Sequence, residues 1–338
     1  MTEIDIEEHE SLLVYLRAAG HVASDESPAF TTLPGGVSSR TVLVERPAGQ
    51  AWVLKQSLAK LRVAVDWYSD PERIHREALA IRWLTHLAPP STVPGFVFED
   101  HELHLLAMDA VPQPHDNWKT ALLRGDLQVG HVREFGHLLG TIHRRAFERG
   151  TETAAVFGDR SYFESLRVEP YYGYTASQVP ESARFMGGLI ASVRARRLTL
   201  VHGDYSPKNV LVHRGRLVLL DHEVVHFGDP AFDLGFSLAH FLSKAHHVAA
   251  QRDEFTAAAE IYFGAYRESL GDTPWADDLE EHGVRNALGC LLARVSGRSP
   301  LEYLSSEERK RQQEIVLSLM RNAPLSVAEL ADQFRARL

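Results

Sequence analysis

A short segment in the second half of the chain carries the residue types that phosphoryl transfer needs. It reads HGDYSPKNVLV over residues 202–212, and a second apolar segment ends soon after it in Asp221. Asp204 can orient an attacking hydroxyl, while Asn209 and Asp221 can offer oxygen atoms to a Mg²⁺ ion that bridges nucleotide phosphates. In this chemistry the protein mainly positions the reactants and neutralises charge. The spacing therefore predicts Mg²⁺-dependent transfer of a phosphoryl group from ATP.

A hairpin must hold these three residues. The apolar segments on either side of residues 213–215 predict two short strands joined by a turn. Asp204 then lies on the loop before the hairpin, with Asn209 and Asp221 at its open end. Taken singly, each could be an ordinary turn or strand-end residue, and only the set indicates a site. Asp233 is predicted to cap the next helix, and its carboxylate can also brace the loop.

The phosphates of a nucleotide also need a cation, and Lys55 is the candidate. It ends a predicted strand that begins at Ala51. Glu77 lies between Ile74 and Ile81, on the inner face of a predicted helix, so it can pair with Lys55. Lysine and glutamate are usually exposed. Together with the downstream motif, however, the ion pair is the better interpretation.

Two further features can contact phosphates. The loop of residues 34–40 lies between two predicted strands, and its backbone N–H groups and the hydroxyls of Ser38 and Ser39 can fold over phosphates. It lacks a full GxGxxG pattern, and an ordinary hairpin is an equal alternative. Lys208 can approach the transferred group, or it can lie exposed on the surface.

Length and charge limit the class of protein. The chain has 338 residues, 44% apolar and 24% charged, which suffices for two lobes with their own cores. A formal charge of −9 argues against a nucleic-acid partner. The single cysteine, Cys290, suits a reducing compartment. With no signal sequence and no apolar run of roughly 20 residues, we expect a cytoplasmic protein without a membrane partner.

The order of predicted elements indicates an α+β architecture in two lobes. Residues 1–109 are expected to form a nucleotide-binding N-lobe with a helix, a small antiparallel sheet and one long helix. The segment from Val111 to Pro114 is the expected linker. Residues 110–338 are expected to form a larger, mostly helical C-lobe with the catalytic loop, the metal site and the acceptor pocket.

The motifs HGDYSPKN and LLDHE, the latter followed by GDPAFDLG, together with Lys55 and Glu77, resemble the aminoglycoside phosphotransferase-like small-molecule kinases. These enzymes are distant relatives of the protein kinases, and the resemblance spans residues 30–240. It implies a bilobal protein-kinase-like fold with adenine bound to the linker backbone. Met108, the Asp109 carbonyl and the Val111 N–H are the expected contacts, since the prolines that follow lack an N–H group.

A local likeness to methylthioribose kinase occurs around Lys55, at residues 76–79 and at residues 289–297. It implies that Arg294 contributes to the acceptor pocket, although a surface arginine is an equal alternative. The chain departs from those enzymes at Asn209, where they often have serine, and at residues 222–224. The resemblance therefore implies only a class of acceptor, a small hydroxylated, sugar-like or aminoglycoside-like molecule.

Glu223 and Trp275 complete the predicted acceptor pocket. An acidic run follows Trp275 at Asp277, Asp278, Glu280 and Glu281. In antibiotic kinases of the family, acids in this lobe hold the amino groups of a cationic acceptor. A solvated helix start, favoured by the helix dipole, is the other interpretation of such a run.

Three other classes of protein compete with the small-molecule kinase. A metal-dependent hydrolase can be built from histidine and carboxylate ligands, here His202, Asp204, Asp221, His222 and His226. That hypothesis leaves Lys55, Glu77 and Asn209 unexplained. A non-catalytic nucleotide-binding scaffold is disfavoured because every expected phosphate and metal residue is present. A protein kinase is disfavoured because the DFG and APE motifs are missing.

Overall fold

An antiparallel sheet forms the centre of the first lobe. The computed structural model describes residues 4–34, 36–63 and 66–338, so Gly35 of the predicted phosphate loop lies outside the described residues. The strands pair in the order β1-β2-β3-β5-β4. Their bounds are β1 (Ala29–Thr32), β2 (Ser39–Glu45), β3 (Ala51–Ser57), β4 (Phe96–Asp100) and β5 (Leu105–Asp109).

Two helices cover the two faces of this sheet. Successive strand residues face opposite sides, so β5 contributes alternately to two clusters. Helix α1 (His9–Ala18) packs Leu12 and Leu16 in one cluster with Leu105 and Ala107. Helix α2 (Arg73–Leu87) packs on the other side, with its predicted apolar face of Ile74, Ala78 and Ile81 against Leu106 and Met108.

The remainder of the chain is mainly helical. The helices up to the catalytic loop are α3 (Trp118–Leu123), α4 (Val129–Glu148), α5 (Gly150–Phe157), α6 (Ser161–Phe163), α7 (Tyr174–Gln178) and α8 (Ala183–Ala195). Between α6 and α7 the chain makes wider, π-helical turns over Glu164–Gly173. The later helices are α9 (Ala231–His247), α10 (Arg252–Leu270), α11 (Leu279–Ser296), α12 (Ser306–Arg321) and α13 (Val327–Arg335). Within the described residues, no helix has the length and apolar character to cross a membrane.

Two small sheets flank the predicted catalytic segment, residues 202–209. One joins β6 (His115–Asn117), β8 (Val210–His213) and β9 (Arg216–Leu219); the other joins β7 (Thr199–Val201) and β10 (His226–Gly228). The predicted hairpin is present as β8 and β9. Its two turn residues, Arg214 and Gly215, have φ of 49° and 72°, the left-handed backbone that tight hairpin turns require.

An aromatic cluster anchors the catalytic segment in the helical core. Tyr205 stacks on Phe135 of α4 with ring centroids 4.1 Å apart, and its hydroxyl donates to the Phe135 carbonyl at 2.8 Å. Phe135 also contacts the edge of Trp118 and the ring of Tyr262. The fold is thus the predicted α+β arrangement, a small sheet lobe and a large helical lobe. The boundary between residues 109 and 110 stays a prediction.

Candidate active site

The two lobes enclose a cavity of ≈1130 Å³. It brings together nearly all of the predicted site residues, although they come from segments far apart in the chain. Those that line it are Ser38, Ser39, Lys55, Glu77, Met108, Asp109, Val111, Asp204, Lys208, Asn209, Asp221, Glu223 and Arg294. Trp275 does not line it. Its large apolar ring is buried instead against Phe147, with centroids 5.9 Å apart, which corrects the prediction that Trp275 belongs to the acceptor pocket.

Lys55 lies between two carboxylates. It follows Val53 by two residues on β3 and therefore faces α2, where Glu77 is fully buried. Lys55 Nζ lies 2.6 and 2.9 Å from the two Glu77 carboxylate oxygens and 2.7 Å from Asp221 Oδ1. The ion pair between Lys55 and Glu77 is therefore present in the fold itself.

The charges of this cluster shift one another's proton affinities. Burial alone would lower the pKa of Lys55, but Asp221 and Glu77 outweigh it and raise that pKa. Burial alone would raise the pKa of Asp221, but Lys55 outweighs it and lowers that pKa. Burial raises the pKa of Glu77, and the nearby Asp221 and Glu223 add to this effect against the attraction of Lys55. At neutral pH Lys55 and Asp221 are therefore both charged.

Asp221 has an unusual backbone conformation. Its φ is 66°, in the left-handed region that residues other than glycine adopt at a cost, often at functional sites. Hydrogen bonds on both sides hold it there. The Leu220 N–H donates to the Asn209 carbonyl at 2.9 Å, and the His222 N–H donates to Glu77 Oε1 at 3.3 Å.

Asp204 and Asn209 are hydrogen-bonded to each other. The Asn209 amide nitrogen donates to Asp204 Oδ2 at 2.6 Å and to the Asp204 carbonyl at 3.0 Å. Because the nitrogen of the amide is engaged, its oxygen points the other way. An Asn209 oxygen and the Asp221 carboxylate form the kind of oxygen-only ligand set that Mg²⁺ prefers.

Asp233 of α9 holds the backbone of the catalytic loop. Its carboxylate accepts from the N–H groups of His202 and Gly203 at 2.6 and 2.8 Å, and its Oδ2 lies 3.3 Å from His143 Nε2. The predicted bracing contact is thus present, but the predicted N-cap role is wrong. Helix α9 begins earlier because Asp229 Oδ1 accepts from the Ala231 N–H at 3.1 Å.

Two buried arginines of the site were not predicted. Arg167 Nη2 lies 3.0 Å from Asp204 Oδ2, and its Nε donates to the Gly203 carbonyl at 2.7 Å. It lies in the π-helical segment, whose turns break the usual helical periodicity, so the sequence gives no sign of where it points. Arg73 was detectable, since it lies one turn before Glu77 on the same face of α2.

The Arg73 guanidinium connects four parts of the chain. It is fully buried and donates to Glu223 Oε2 at 3.0 Å, to the Leu58 carbonyl at 2.9 Å and to the Ser38 carbonyl. It also donates to the carbonyl of Ser69 just before α2. The predicted phosphate loop, the start of α2 and the segment after Asp221 are therefore held by one side chain, and the charge of Glu223 is neutralised.

Two polar groups at the sheet end of the cavity have no hydrogen-bond partner among the described residues. The Ser39 hydroxyl is buried and, among the described residues, makes no hydrogen bond. In the linker, the N–H groups of Asp109 and Ala110 donate to the carbonyls of Gly95 and Ala51. The Val111 N–H has no acceptor in the described part of the chain. Both groups are in place to bind a ligand.

The three histidines of the alternative metal centre do not converge on a common point, because His226 lies apart from the other two. His222 Nδ1 lies 3.2 Å from His202 Nε2, whereas His226 stacks on Phe163 and its Nδ1 lies 3.0 Å from the Val224 carbonyl. Burial lowers the pKa of all three imidazoles. Across the described ranges, the one group with metal-ligand spacing is Glu72, His75 and His101, which does not line the cavity.

Comparison with known proteins agrees with this geometry. The sequence model of the phosphotransferase enzyme family matches residues 29–271. No curated protein sequence matches the chain. The structure is similar to a choline/ethanolamine kinase family protein from Mesorhizobium loti, with a TM-score of 0.59, 15% identity, and coverage of 97% of this chain and 99% of the other.

Two further solved structures share the fold. Amicoumacin kinase hAmiN, in complex with AMP-PNP, Ca²⁺ and Ami, has a TM-score of 0.57, 14% identity, and coverage of 93% of this chain and 94% of its own. The macrolide 2'-phosphotransferase MphH from Brachybacterium faecium has a TM-score of 0.53, 19% identity, and coverage of 93% and 98%.

The match covers well over half of the chain. It includes residues 202–209, the hairpin that follows them, and cavity-lining residues from both lobes. The family resemblance predicted from HGDYSPKN and LLDHE is confirmed, while the local likeness to methylthioribose kinase stays a prediction. The chain belongs to the phosphotransferase enzyme family and has its protein-kinase-like fold.

Proposed function

We propose that the protein transfers the γ-phosphoryl group of ATP, in a Mg²⁺-dependent reaction, to a hydroxyl of a small molecule. The observation that carries this proposal is the position of Lys55. It contacts Glu77 and Asp221 at once, in the same cavity as Asp204 and Asn209. A lysine held by a helix glutamate beside a metal-binding aspartate is the arrangement that phosphoryl transfer requires.

The sheet side of the cavity is suited to ATP. The free Val111 N–H can bind adenine, with Met108 and Asp109 beside it. Lys55 can bind phosphate oxygens. The Ser39 hydroxyl, which has no partner among the described residues, begins β2 directly after the loop that would cover them. The similarly folded amicoumacin kinase was solved with AMP-PNP and Ca²⁺, which is compatible with a nucleotide and a divalent cation here.

Asn209 and Asp221 would hold Mg²⁺. The donor set fits because both residues offer oxygen atoms and because Asp221 is ionised beside Lys55. When bound, the ion would neutralise charge on the phosphates. Asp221 would then be shared between the ion and Lys55, and its fixed backbone keeps the carboxylate directed into the cavity.

Asp204 would orient the acceptor. Its Oδ2 accepts from the Asn209 amide and pairs with Arg167 Nη2 at 3.0 Å, which leaves Oδ1 to accept a hydrogen bond from the incoming hydroxyl. With Oδ2 held by the Asn209 amide and by the charge of Arg167, the carboxylate would keep its orientation and direct the hydroxyl oxygen towards the γ-phosphorus. Lys208 is exposed at the cavity wall and would add positive charge near the transferred group.

Consumption of ATP in the presence of Mg²⁺ tests the proposal. The acceptor panel would contain sugars, sugar acids, amino alcohols and aminoglycosides, with ADP release and the phosphorylated product both measured. We expect turnover with one class of acceptor, strictly dependent on Mg²⁺. A chain that does not bind ATP, or that hydrolyses substrates without ATP, would overturn the proposal. Tight ATP binding without turnover on any hydroxyl would favour the scaffold alternative.

A further inference from the structure

The charges at the helical-lobe end of the cavity are not balanced. Four carboxylates of the site already face a cation: Glu77 and Asp221 face Lys55, Asp204 faces Arg167, and Glu223 faces Arg73. Arg294 of α11 also lines the cavity. Among the described residues, no carboxylate oxygen lies within 4.0 Å of its guanidinium. Arg294 is therefore a cavity-lining cation with no counter-ion in the described part of the chain.

Neutral groups hold Arg294 in place. Its Nη1 donates to the Ser299 carbonyl at 2.7 Å and to the Ser299 hydroxyl at 3.1 Å, and its Nη2 lies 3.4 Å from His240 Nε2. Its Nε is buried and has no hydrogen-bond partner in the described part of the chain. A fixed guanidinium with a free donor is well suited to bind an oxyanion.

Arg294 lies near the reacting end of the cavity. Its Cζ is 5.6 Å from the centre of the Tyr171 ring, and the Arg167 Cζ is 5.7 Å from the same ring. Arg167 in turn contacts Asp204. A small acceptor can therefore place a hydroxyl at Asp204 and another group at Arg294.

The surroundings of Arg294 are rich in positive charge. Burial, followed by the charges of Arg294, Lys244, Lys119 and Lys208, lowers the pKa of His240. Lys244 is fully buried and donates from Nζ to the His240 carbonyl at 3.3 Å. Burial, followed by the charges of Lys119 and Arg294, lowers the pKa of Lys244 to about 7, so at neutral pH it is only partly charged. Lys119 pairs with Glu302 at 2.5 Å. Around His240 the cations therefore outnumber the carboxylates.

The acidic run that would suit a cationic acceptor lies elsewhere. Asp278 pairs with Arg196 at 2.8 Å, and Glu280 accepts from the Val327 N–H at 2.8 Å. Neither of these residues lines the cavity, nor do Asp277 and Glu281. The remaining cavity carboxylates, Glu45 and Asp109, are on β2 and β5 at the sheet end. No acid of the run is thus in place to bind an aminoglycoside.

We infer that the acceptor carries an oxyanion, a carboxylate or a phosphate ester, that binds Arg294 while its hydroxyl faces Asp204. The inference rests on the proposed function. In the reaction, the hydroxyl oxygen forms a bond to the γ-phosphorus, the bond from that phosphorus to the β–γ bridging oxygen breaks, and the hydroxyl proton passes to Asp204. The products are ADP and a phosphorylated acid or a bisphosphate.

Binding to the complex with Mg²⁺ and AMP-PNP tests this inference, because the analogue fills the γ-phosphate position and does not react. Calorimetry would compare glycerate and gluconate, as carboxylates, with glycerol 3-phosphate, as a phosphate ester. Glycerol and sorbitol are the uncharged counterparts, and an aminoglycoside is the cationic one. We expect one anionic class to bind roughly 10- to 100-fold more tightly than its uncharged counterpart, as expected for charge-assisted hydrogen bonds.

Substitution of the arginine identifies the site. We expect Arg294→Gln to abolish the preference for anions and Arg294→Lys to retain part of it, with AMP-PNP affinity unchanged in both. Arg298→Gln is the matched control, since Arg298 pairs with Glu169 near the surface. Equal binding of anionic and uncharged compounds, preference for the aminoglycoside, or loss of AMP-PNP affinity in Arg294→Gln would overturn the inference. Failure of the native chain to bind AMP-PNP would instead overturn the proposed function on which it rests.

Discussion

At the scale of single residues, the site depends on single side-chain atoms that each contact two partners. Lys55 Nζ donates to two carboxylates, and Asp204 Oδ2 accepts from Asn209 and pairs with Arg167. On Asp204, these contacts leave Oδ1 without a hydrogen-bond donor among the described residues. The chemistry therefore follows from which atoms of a side chain are left free.

Replacement of Asp204 by asparagine tests its role in orienting the acceptor. The variant keeps the shape of the side chain but loses the charge that accepts the hydroxyl hydrogen bond. We expect kcat to fall by roughly 10²- to 10⁴-fold, with little change in ATP affinity. Asp272→Asn, at an exposed aspartate, is the control. Preserved turnover with lost ATP binding would contradict the assignment.

Replacement of Asp221 by asparagine tests the metal site. Asparagine tolerates the left-handed backbone at this position, so the change removes the charge with little strain. In the native chain we expect Mg²⁺ to tighten ATP binding by at least about tenfold, or about 1.4 kcal/mol. In Asp221→Asn we expect Mg²⁺ to have little effect. Titration of ATP with and without Mg²⁺ measures both, and an unchanged Mg²⁺ effect would count against the ligand role.

At the scale of elements, α9 positions the catalytic loop through its first turn. Burial alone would raise the pKa of Asp233, but hydrogen bonds from His143 and from the His202 N–H outweigh it and lower that pKa. The carboxylate is thus ionised and accepts two backbone N–H groups. Ser237, one turn later on the same helix, donates to the Tyr205 carbonyl at 2.7 Å.

Replacement of Asp233 by asparagine tests this contact between helix and loop. The N–H groups of His202 and Gly203 each donate to one oxygen of the Asp233 carboxylate. Asparagine has only one side-chain oxygen, so one of these buried N–H groups is left unpaired. We expect the free energy of unfolding to fall by roughly 2–3 kcal/mol, and kcat to fall because Asp204 is displaced. Ser237→Ala, which removes one neutral hydrogen bond, should cost about 1 kcal/mol. Urea denaturation compares the two, and equal costs would contradict a special role for Asp233.

Local patterns predicted the elements well and the long-range contacts less well. The face formed by Ile74, Ala78 and Ile81 repeats at helical spacing, and the hairpin before Asp221 is bounded by a turn, so both were visible in the sequence. The contact between Arg167 and Asp204 was not visible, because it joins a π-helical segment to a loop 37 positions away. The prediction for Trp275 was wrong because a large aromatic ring beside an acidic run occurs in binding pockets and in hydrophobic cores alike.

At the scale of the whole molecule, buried imidazoles make stability depend on pH. Burial lowers the pKa of His226 to about 4, below the value of about 6.5 in an unfolded chain. The unfolded state therefore binds the proton first. His226 does not change the free energy of unfolding above about pH 6.5. As the pH falls from there towards 4, His226 lowers this free energy, by at most about 1.4 kcal/mol per pH unit.

Replacement of His226 by glutamine tests this dependence. We expect the native chain to lose about 1.4 kcal/mol more than His226→Gln when the pH falls from about 7.5 to about 5.5. Chemical denaturation at both pH values measures the difference. His86→Gln, at an exposed histidine in the last turn of α2, is the control. Parallel losses in the native chain and in His226→Gln would exclude a contribution from His226.

The buried Arg73 has a consequence for the order in which the protein can form during synthesis. Its guanidinium belongs to the sheet lobe, but its carboxylate partner, Glu223, lies 150 residues later. At a synthesis rate of 5–20 residues per second, Glu223 is made roughly 8–30 s after Arg73. An early folded sheet lobe would bury a cation without its counter-ion. The nascent sheet lobe is therefore expected to reach its final stability only after Glu223 has been synthesised.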